Sequence, residues 1–230
     1  ERLASIGRLA AGVAHEIGNP ITGIACLAQT IRDEYQENEL NVLAKKIIEQ
    51  TDRTSNILQS LVNFAHAGSA RKGRKQEFVD ISDCIKEARM LISLDKKNSD
   101  IQYQISCSPD AKILGDPQRI LQVLVNLINN ARDASRPKST ITLNTSSEEE
   151  HVRITVTDQG VGISKTIRDR IFDPFFTTKE AGEGTGLGLS LVFSIIEDLN
   201  GDIDIISPIN KNTGRGTSVV VTLPRLSDVT

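Results

Sequence analysis

The chain has 230 residues, 38% of them hydrophobic and 25% charged, with a formal net charge of −3; that is a globular composition with room for one large domain or two small ones. The mild acidity and an aromatic content of 3%, with no Trp, argue against a surface that tracks phosphate backbones or stacks bases. No apolar run approaches the roughly 18 residues of a membrane span, and Cys26, Cys84 and Cys107, without a C-x-x-C spacing, exclude a disulfide framework or a Cys-based zinc site and are expected as free thiols in a reducing cytosol.

Glu1 already lies inside a periodic pattern, so the chain is expected to be a piece of a longer protein. Leu3, Ile6, Ala10, Val13, Ile17, Pro20, Ile24, Leu27 and Ile31 alternate spacings of three and four, the seam of a heptad helix. That pattern predicts a helix over 2–34, about 50 Å long at 1.5 Å per residue. The polar run 33–39 suits a turn between antiparallel helices. Leu40, Ala44, Ile47, Thr51, Thr54, Leu58, Leu61 and Ala65 then mark a second helix, its stripe widened by Ile48, Ile57 and Val62. Such a hairpin has one apolar face and no third layer to cover it. A second copy completes a four-helix bundle about a two-fold axis, so residues 1–68 are expected to form a homodimer. The stretch 67–76 carries two Gly, a Ser and four cations. It reads as a solvated hinge rather than a nucleic-acid patch, and the linker is set at 69–76.

From Glu77 the periodicity changes. Strand-like runs at 78–81, 101–106, 141–145, 152–157, 202–207 and 217–223 alternate with helical stretches at about 83–95, 116–135 and 187–199. The pair 139–146 and 151–158 flanks Ser-Glu-Glu-Glu, a hairpin arrangement. A mixed or mostly antiparallel sheet with helices on one face follows, an α+β sandwich over 77–230.

His15 falls at the helix position farthest from the seam, with Asn19 four residues on and so on the same side. Pro20 interrupts the helix there, lacking the N–H that would reach the Glu16 carbonyl. Such a distortion marks either a used point or a passive kink. The available chemistry is nucleophilic: a neutral imidazole nitrogen attacks phosphorus, Glu16 accepts the proton or fixes the tautomer, and Asn19 orients a water.

In the second half, Asn126 and Asn130 stand i, i+4 on a helix and project together. Their amide oxygens suit Mg²⁺ bridging phosphates, or simply capping and solvent contact. Asp158-Gln-Gly160-Val-Gly162 follows a strand directly. It is either a turn or a place where backbone approaches a planar ligand while Asp158 accepts from an exocyclic amine. Gly184-Thr185-Gly186-Leu187-Gly188 leads into a helix and offers free N–H groups as a phosphate cradle, without the Gly-Lys-Ser/Thr of a P-loop. Between them lie Phe172 to Lys179, with Phe176, and the stretch 164–186 reads as a mobile lid over the nucleotide whose Lys179 reaches a terminal phosphate.

In this order the segments resemble sensor histidine kinases of bacterial two-component systems. His15-Glu-Ile-Gly-Asn-Pro20 looks like the H box, Asn126-Leu-Ile-Asn-Asn130 the N box, and Asp158 to Gly162 the G1 box. Phe172 to Lys179 is similar to the F box and Gly184 to Gly188 to the G2 box, while Gly214-Arg-Gly216-Thr217 opens a matching final strand. The resemblance implies a phosphotransfer hairpin followed by a catalytic ATP-binding domain of Bergerat type. It implies His15 as the phosphorylated residue, Glu16 as its base and Asn19 as the residue serving dephosphorylation of a response-regulator receiver domain. It further implies Asn130 as the Mg²⁺ ligand, Asn126 beside the phosphates, Asp158 on adenine and Thr217 supporting Asp158. The expected protein is thus a cytoplasmic kinase core, itself without membrane or nucleic-acid contact, that uses ATP and Mg²⁺, phosphorylates itself and passes the group to an Asp of a response regulator, whose phosphatase it also is. The chain departs from many members at Asp133, where they carry Lys or Arg; Arg132 and Lys179 are the candidate cations. Related ATPases such as gyrase carry a water-activating Glu where Asn126 stands, so transfer to His15 is favoured over hydrolysis.

Overall fold

The computed structural model describes residues 17, 21–33, 38–69, 77–93, 100–179, 184–210 and 212–225. Two compact units emerge, Glu1–Arg71 with Phe175–Leu187, and Lys72–Pro174 with Gly188–Thr230.

In the first unit, α1 (21–33) lies within the first expected helix, of which 2–16, 18–20 and 34 fall outside the described residues, and α2 (Asn38–Ser69) matches the second, running into the compositionally polar stretch as far as Ser69. Ala28, Ala44, Thr51 and Leu58 are buried, whereas Ile17, Ile24, Leu27, Val42, Leu43 and Ile47 are exposed. Among the described seam positions of the first helix, Ile17, Ile24 and Leu27 therefore face outward in a single chain. The connection 34–37 and the remainder of the predicted linker, 70–76, lie outside the described residues.

The second unit begins with β1 (Glu77–Asp80), which turns at once into α3 (Ile81–Ser93). Asp80 Oδ1 accepts from Ser82 N at 2.8 Å and so fixes the start of that helix. After β2 (Gln102–Ser106) and β3 (Lys112–Gly115) comes α4 (Pro117–Ala134). Its cap, Asp116, accepts from Gln118 N, and Pro117 supplies a preset φ at the first turn. Then follow β4 (Thr140–Ser147), β5 (His151–Asp158), a 3₁₀ turn at Arg168–Arg170, α5 (Gly188–Asp198), β6 (Asp202–Ile206) and β7 (Thr217–Pro224). The strand β3 is a correction to the sequence reading, which has none there; it pairs antiparallel with β1 in a separate two-stranded ribbon.

The main sheet has the order β2-β4-β5-β7-β6. Only β2–β4 is parallel; the other pairs are antiparallel. Val152, Ile154, Val156 and Asp158 form the buried face of β5 and stand opposite Leu223, Val221, Val219 and Thr217 of β7. The helices α4 and α5 lie against this apolar side and α3 packs on α4 and β1, α4 burying Ile120, Val123, Leu124, Leu127 and Ile128. Arg119 and Asp198 lock the start of α4 to the end of α5 at 2.6 Å, largely out of water. At the outer strand, the Arg168 guanidinium donates to the Ile205 carbonyl of β6 and stands 3.8 Å from Asp204. None of the described helices is long and apolar enough to cross a membrane.

Candidate functional site

Asp158 ends the buried stripe of β5. Burial therefore comes with the fold, and it pushes the carboxyl above its ordinary range, with the Gly160 and Thr217 N–H groups opposing that rise. Both donors use the same oxygen: Gly160 N reaches Oδ1 at 2.7 Å and Thr217 N at 3.2 Å. Neither bond uses Oδ2, whose lone pairs can accept from a further donor.

The glycines beside it are set by close approach. A Cβ on Gly160 would stand 2.5 Å from the Ala134 carbonyl oxygen at the end of α4, while the Gly160 carbonyl accepts from Gly216 N at 3.0 Å. Gly162 adopts φ +78°, and a Cβ there would come within 2.8 Å of the Gly214 oxygen. These contacts draw the loop after β5 against both α4 and the segment before β7. Ser207, which sequence reasoning missed, joins the same cluster. Its Oγ accepts from Ile163 N at 2.7 Å, donates to the Gly216 carbonyl at 3.0 Å and lies 3.2 Å from Thr217 Oγ1. The available signal was its place: a hydroxyl just beyond β6, at the end of the sheet where β7 begins opposite Asp158.

Asn126 and Asn130 are half-buried on α4. The Asn126 amide nitrogen donates to the Gln122 carbonyl at 2.9 Å, which leaves its oxygen as the outward group. That oxygen lies 3.1 Å from where a Gly188 Cβ would sit, and Asn130 Nδ2 lies 3.9 Å from it. The first residue of α5 thus meets both amides. This donor set of neutral amide oxygens, with room at a glycine, fits a hard divalent cation whose remaining ligands come from phosphate and water. Asp133 shares their face. Arg132, two residues past Asn130, lies about 120° around the helix from Asn126; it pairs with Asp133 at 3.1 Å, and its charge lowers the burial-raised pKa of Tyr103 on β2.

The described residues 175–179 and 184–187 contact one another. Phe175, at φ +68°, donates from N to the Gly186 carbonyl at 3.0 Å. A Cβ on Gly186, itself at φ +66°, would stand 2.3 Å from the Phe175 carbonyl carbon. Gly184 packs on Thr177 and Lys179. Thr185 Oγ1 accepts from Leu187 N at 3.3 Å, Leu187 is buried, and Phe176 and Lys179 are half-buried. Gly184 and Gly186 allow these close approaches between 175–179 and 184–187. Just before it, Phe172 stacks on Phe193 of α5, centroids 5.4 Å apart. His15, Glu16, Asn19 and Pro20 lie outside the described residues. A cleft of 290 Å³ lined by Ile113, Leu199, Leu223 and Pro224 is at the far end of β7, about 20 Å along the strand from Thr217.

With this geometry in hand, the comparisons with known proteins are specific. Residues 115–227 match the family described as histidine kinase-, DNA gyrase B- and HSP90-like ATPase, and residues 5–70 match the His Kinase A (phospho-acceptor) domain. The chain is 34% identical over 226 residues to the sensor histidine kinase ZraS of Escherichia coli strain K12, across 97% of this chain and 46% of that protein. It is 33% identical to sporulation kinase A of Bacillus subtilis, across 98% of this chain and 36% of that one. It spans about half the length, or less, of these curated relatives. Among solved structures, the catalytic domain of histidine kinase ThkA matches at 30% identity and a TM-score of 0.59, over 66% of this chain and 97% of that one. The complex of ThkA with the response regulator protein TrrA matches at 28% and 0.66, over 98% and 64%. Full-length ShkA with AMPPNP, at 24% identity and a TM-score of 0.78 over 96% and 46%, shares the fold.

Proposed function

We propose, from the premise that this chain belongs to the sensor histidine kinase family, that it is the ATP-dependent kinase core of a two-component sensor. Residues 1–68 are its phosphotransfer hairpin, 69–76 the linker and 77–230 the catalytic domain. The observation that carries this reading is Asp158: a desolvated carboxylate, held on one oxygen by two backbone N–H groups, ends a strand beside glycines that let the following loop pack tightly on α4 and on the segment before β7. Its free oxygen accepts the amino group of adenine, with Thr217 and the Gly160–Gly162 backbone around it. Asn126 and Asn130 face the triphosphate; Asn130 holds Mg²⁺, which neutralises phosphate charge when bound. Gly184, Thr185, Gly186, Leu187 and Gly188 line the phosphates, Phe176 closes over the nucleotide, and Lys179 is the cation for the terminal phosphate. Arg132 and Asp133 hold each other at the rim.

The reaction is in-line transfer. A nitrogen of His15 attacks the γ-phosphorus, a P–N bond forms as the bond to ADP breaks, and Glu16 takes the imidazole proton. The group then passes to an Asp of a response regulator, and Asn19 orients water when the protein works as that regulator's phosphatase. Hydrolysis of ATP in the pocket has no base, because Asn126 stands where a carboxylate would be needed and its amide proton is tied to Gln122. Exposed Leu27, Val42 and Leu43 support pairing of two hairpins into a homodimer, and the kinase core works in the cytoplasm. Incubation with γ-labelled ATP tests the reading: acid-labile, base-stable label is expected on the wild type and none on His15→Gln. Label that persists on that variant would overturn it.

A further inference from the structure

The Ser207 hydroxyl sits among three polar groups from separate segments: Ile163 N–H at 2.7 Å, the Gly216 carbonyl at 3.0 Å and Thr217 Oγ1 at 3.2 Å. A serine hydroxyl has one proton and two lone pairs. The Ile163 N–H fills one lone pair. A carbonyl has no proton to give, so the Gly216 contact is a hydrogen bond only when Ser207 donates. The remaining contact is then a hydrogen bond only when Thr217 donates to Ser207. One arrangement of protons satisfies all three, and it leaves Thr217 Oγ1 with lone pairs alone. Thr217 is the register partner of Asp158 across β5 and β7, and antiparallel partners share a face of the sheet. The carboxylate is likewise an acceptor.

We infer that Ser207 is a specificity-determining positioning residue: by taking the Thr217 proton it fixes both groups on this edge of the base pocket as acceptors. That edge then recognises an amino group and meets a carbonyl with lone pair against lone pair. A 6-amino purine is accepted and a 6-oxo purine refused. The inference rests on the reading of Asp158 and Thr217 as the base-facing groups, and adds what sets their polarity. A serine that merely braced the loop after β5 would hold every purine equally well, so the ratio of two affinities separates the two roles.

The test is calorimetric binding of ATP and of inosine triphosphate, each with Mg²⁺, to the 230-residue chain. The wild type is expected to prefer ATP by about 100-fold or more. Ser207→Ala is expected to narrow that ratio by about tenfold, because an unanchored Thr217 hydroxyl can turn and donate to the 6-oxo group. Thr217→Val should narrow it as well, and the double variant no further than Thr217→Val alone, since both act through one hydroxyl. Ser207→Thr keeps the hydroxyl and should keep the ratio. Should the alanine variant not fold, Ser207→Cys, with its weak donor, is expected to narrow the ratio in its place. Equal weakening of both nucleotides by Ser207→Ala, or additive effects in the double variant, overturns the inference while leaving the base pocket intact. A wild type that binds neither nucleotide overturns the pocket itself.

Discussion

Asp158 shows how one residue acquires chemistry from its place in a strand. The alternation of β5 sends positions 152, 154, 156 and 158 to the covered face, and the last of them is a carboxylate. Its raised pKa means the folded chain binds a proton more tightly than the unfolded chain does. Stability from this group is therefore greatest at acid pH and is lost as pH rises from the ordinary carboxylate value through the raised one. Asp158→Asn is expected to raise the thermal midpoint at pH 7, to flatten the pH dependence through that window, and to weaken ATP binding by about 10- to 100-fold. Scanning calorimetry across pH and nucleotide titration read the effects separately. The strand-end Asp and its glycines were legible in the sequence because each sits within a few positions of the next. Ser207 was not, because its partners Ile163, Gly216 and Thr217 come together only through the β5–β7–β6 pairing. Cys84 illustrates the opposite outcome: burial above all, with Glu87, Asp83 and Asp80 nearby, pushes its thiol up to about 11, which keeps it protonated and inert.

Among the elements, α4 organises the catalytic unit. Its apolar side lies on the sheet and its Asn126–Asn130 face meets the start of α5 at Gly188. Arg119 and Asp198 join these helices at their other ends. Arg119→Ala leaves Asp198 without its partner in a poorly hydrated place, so a loss of about 3 kcal/mol in chemical unfolding is expected. Weaker nucleotide binding should follow, as α5 loses its alignment with the two amides. The period-3.6 pattern of α4 made that helix readable to within a residue at each end. By contrast, β3 has four residues, and its partner among the described residues, β1, lies some 35 positions upstream. A run that short carries too few alternations to stand out from a loop, and long-range pairing rather than local preference makes it a strand.

For the molecule as a whole, the exposed apolar side chains on α1 and α2 are the decisive feature. Leu27 is 67% exposed and Leu43 56%, in helices whose small residues Ala28 and Ala44 are buried. Covering that face with a second copy predicts a particle of twice the 25.1 kDa chain mass in light scattering. Leu27→Glu should shift it toward monomer and make the helical melt depend more steeply on protein concentration. The heptad seam marked Leu27 from sequence, whereas Leu43 lies outside the stripe expected for the second helix and is pointed to by its exposure in the structure.

The contact between Arg168 and the Ile205 carbonyl has a further consequence. β6 is the last strand of its sheet and carries Ile203, Ile205 and Ile206, residue types that favour adding another strand. A guanidinium parked on one of its outward carbonyls, next to Asp204, places charge where a foreign backbone would have to dock. The same arginine that ties the segment after the β5 loop to the sheet therefore also guards the border, so that crowded copies of this domain have one fewer template on which to grow into aggregates.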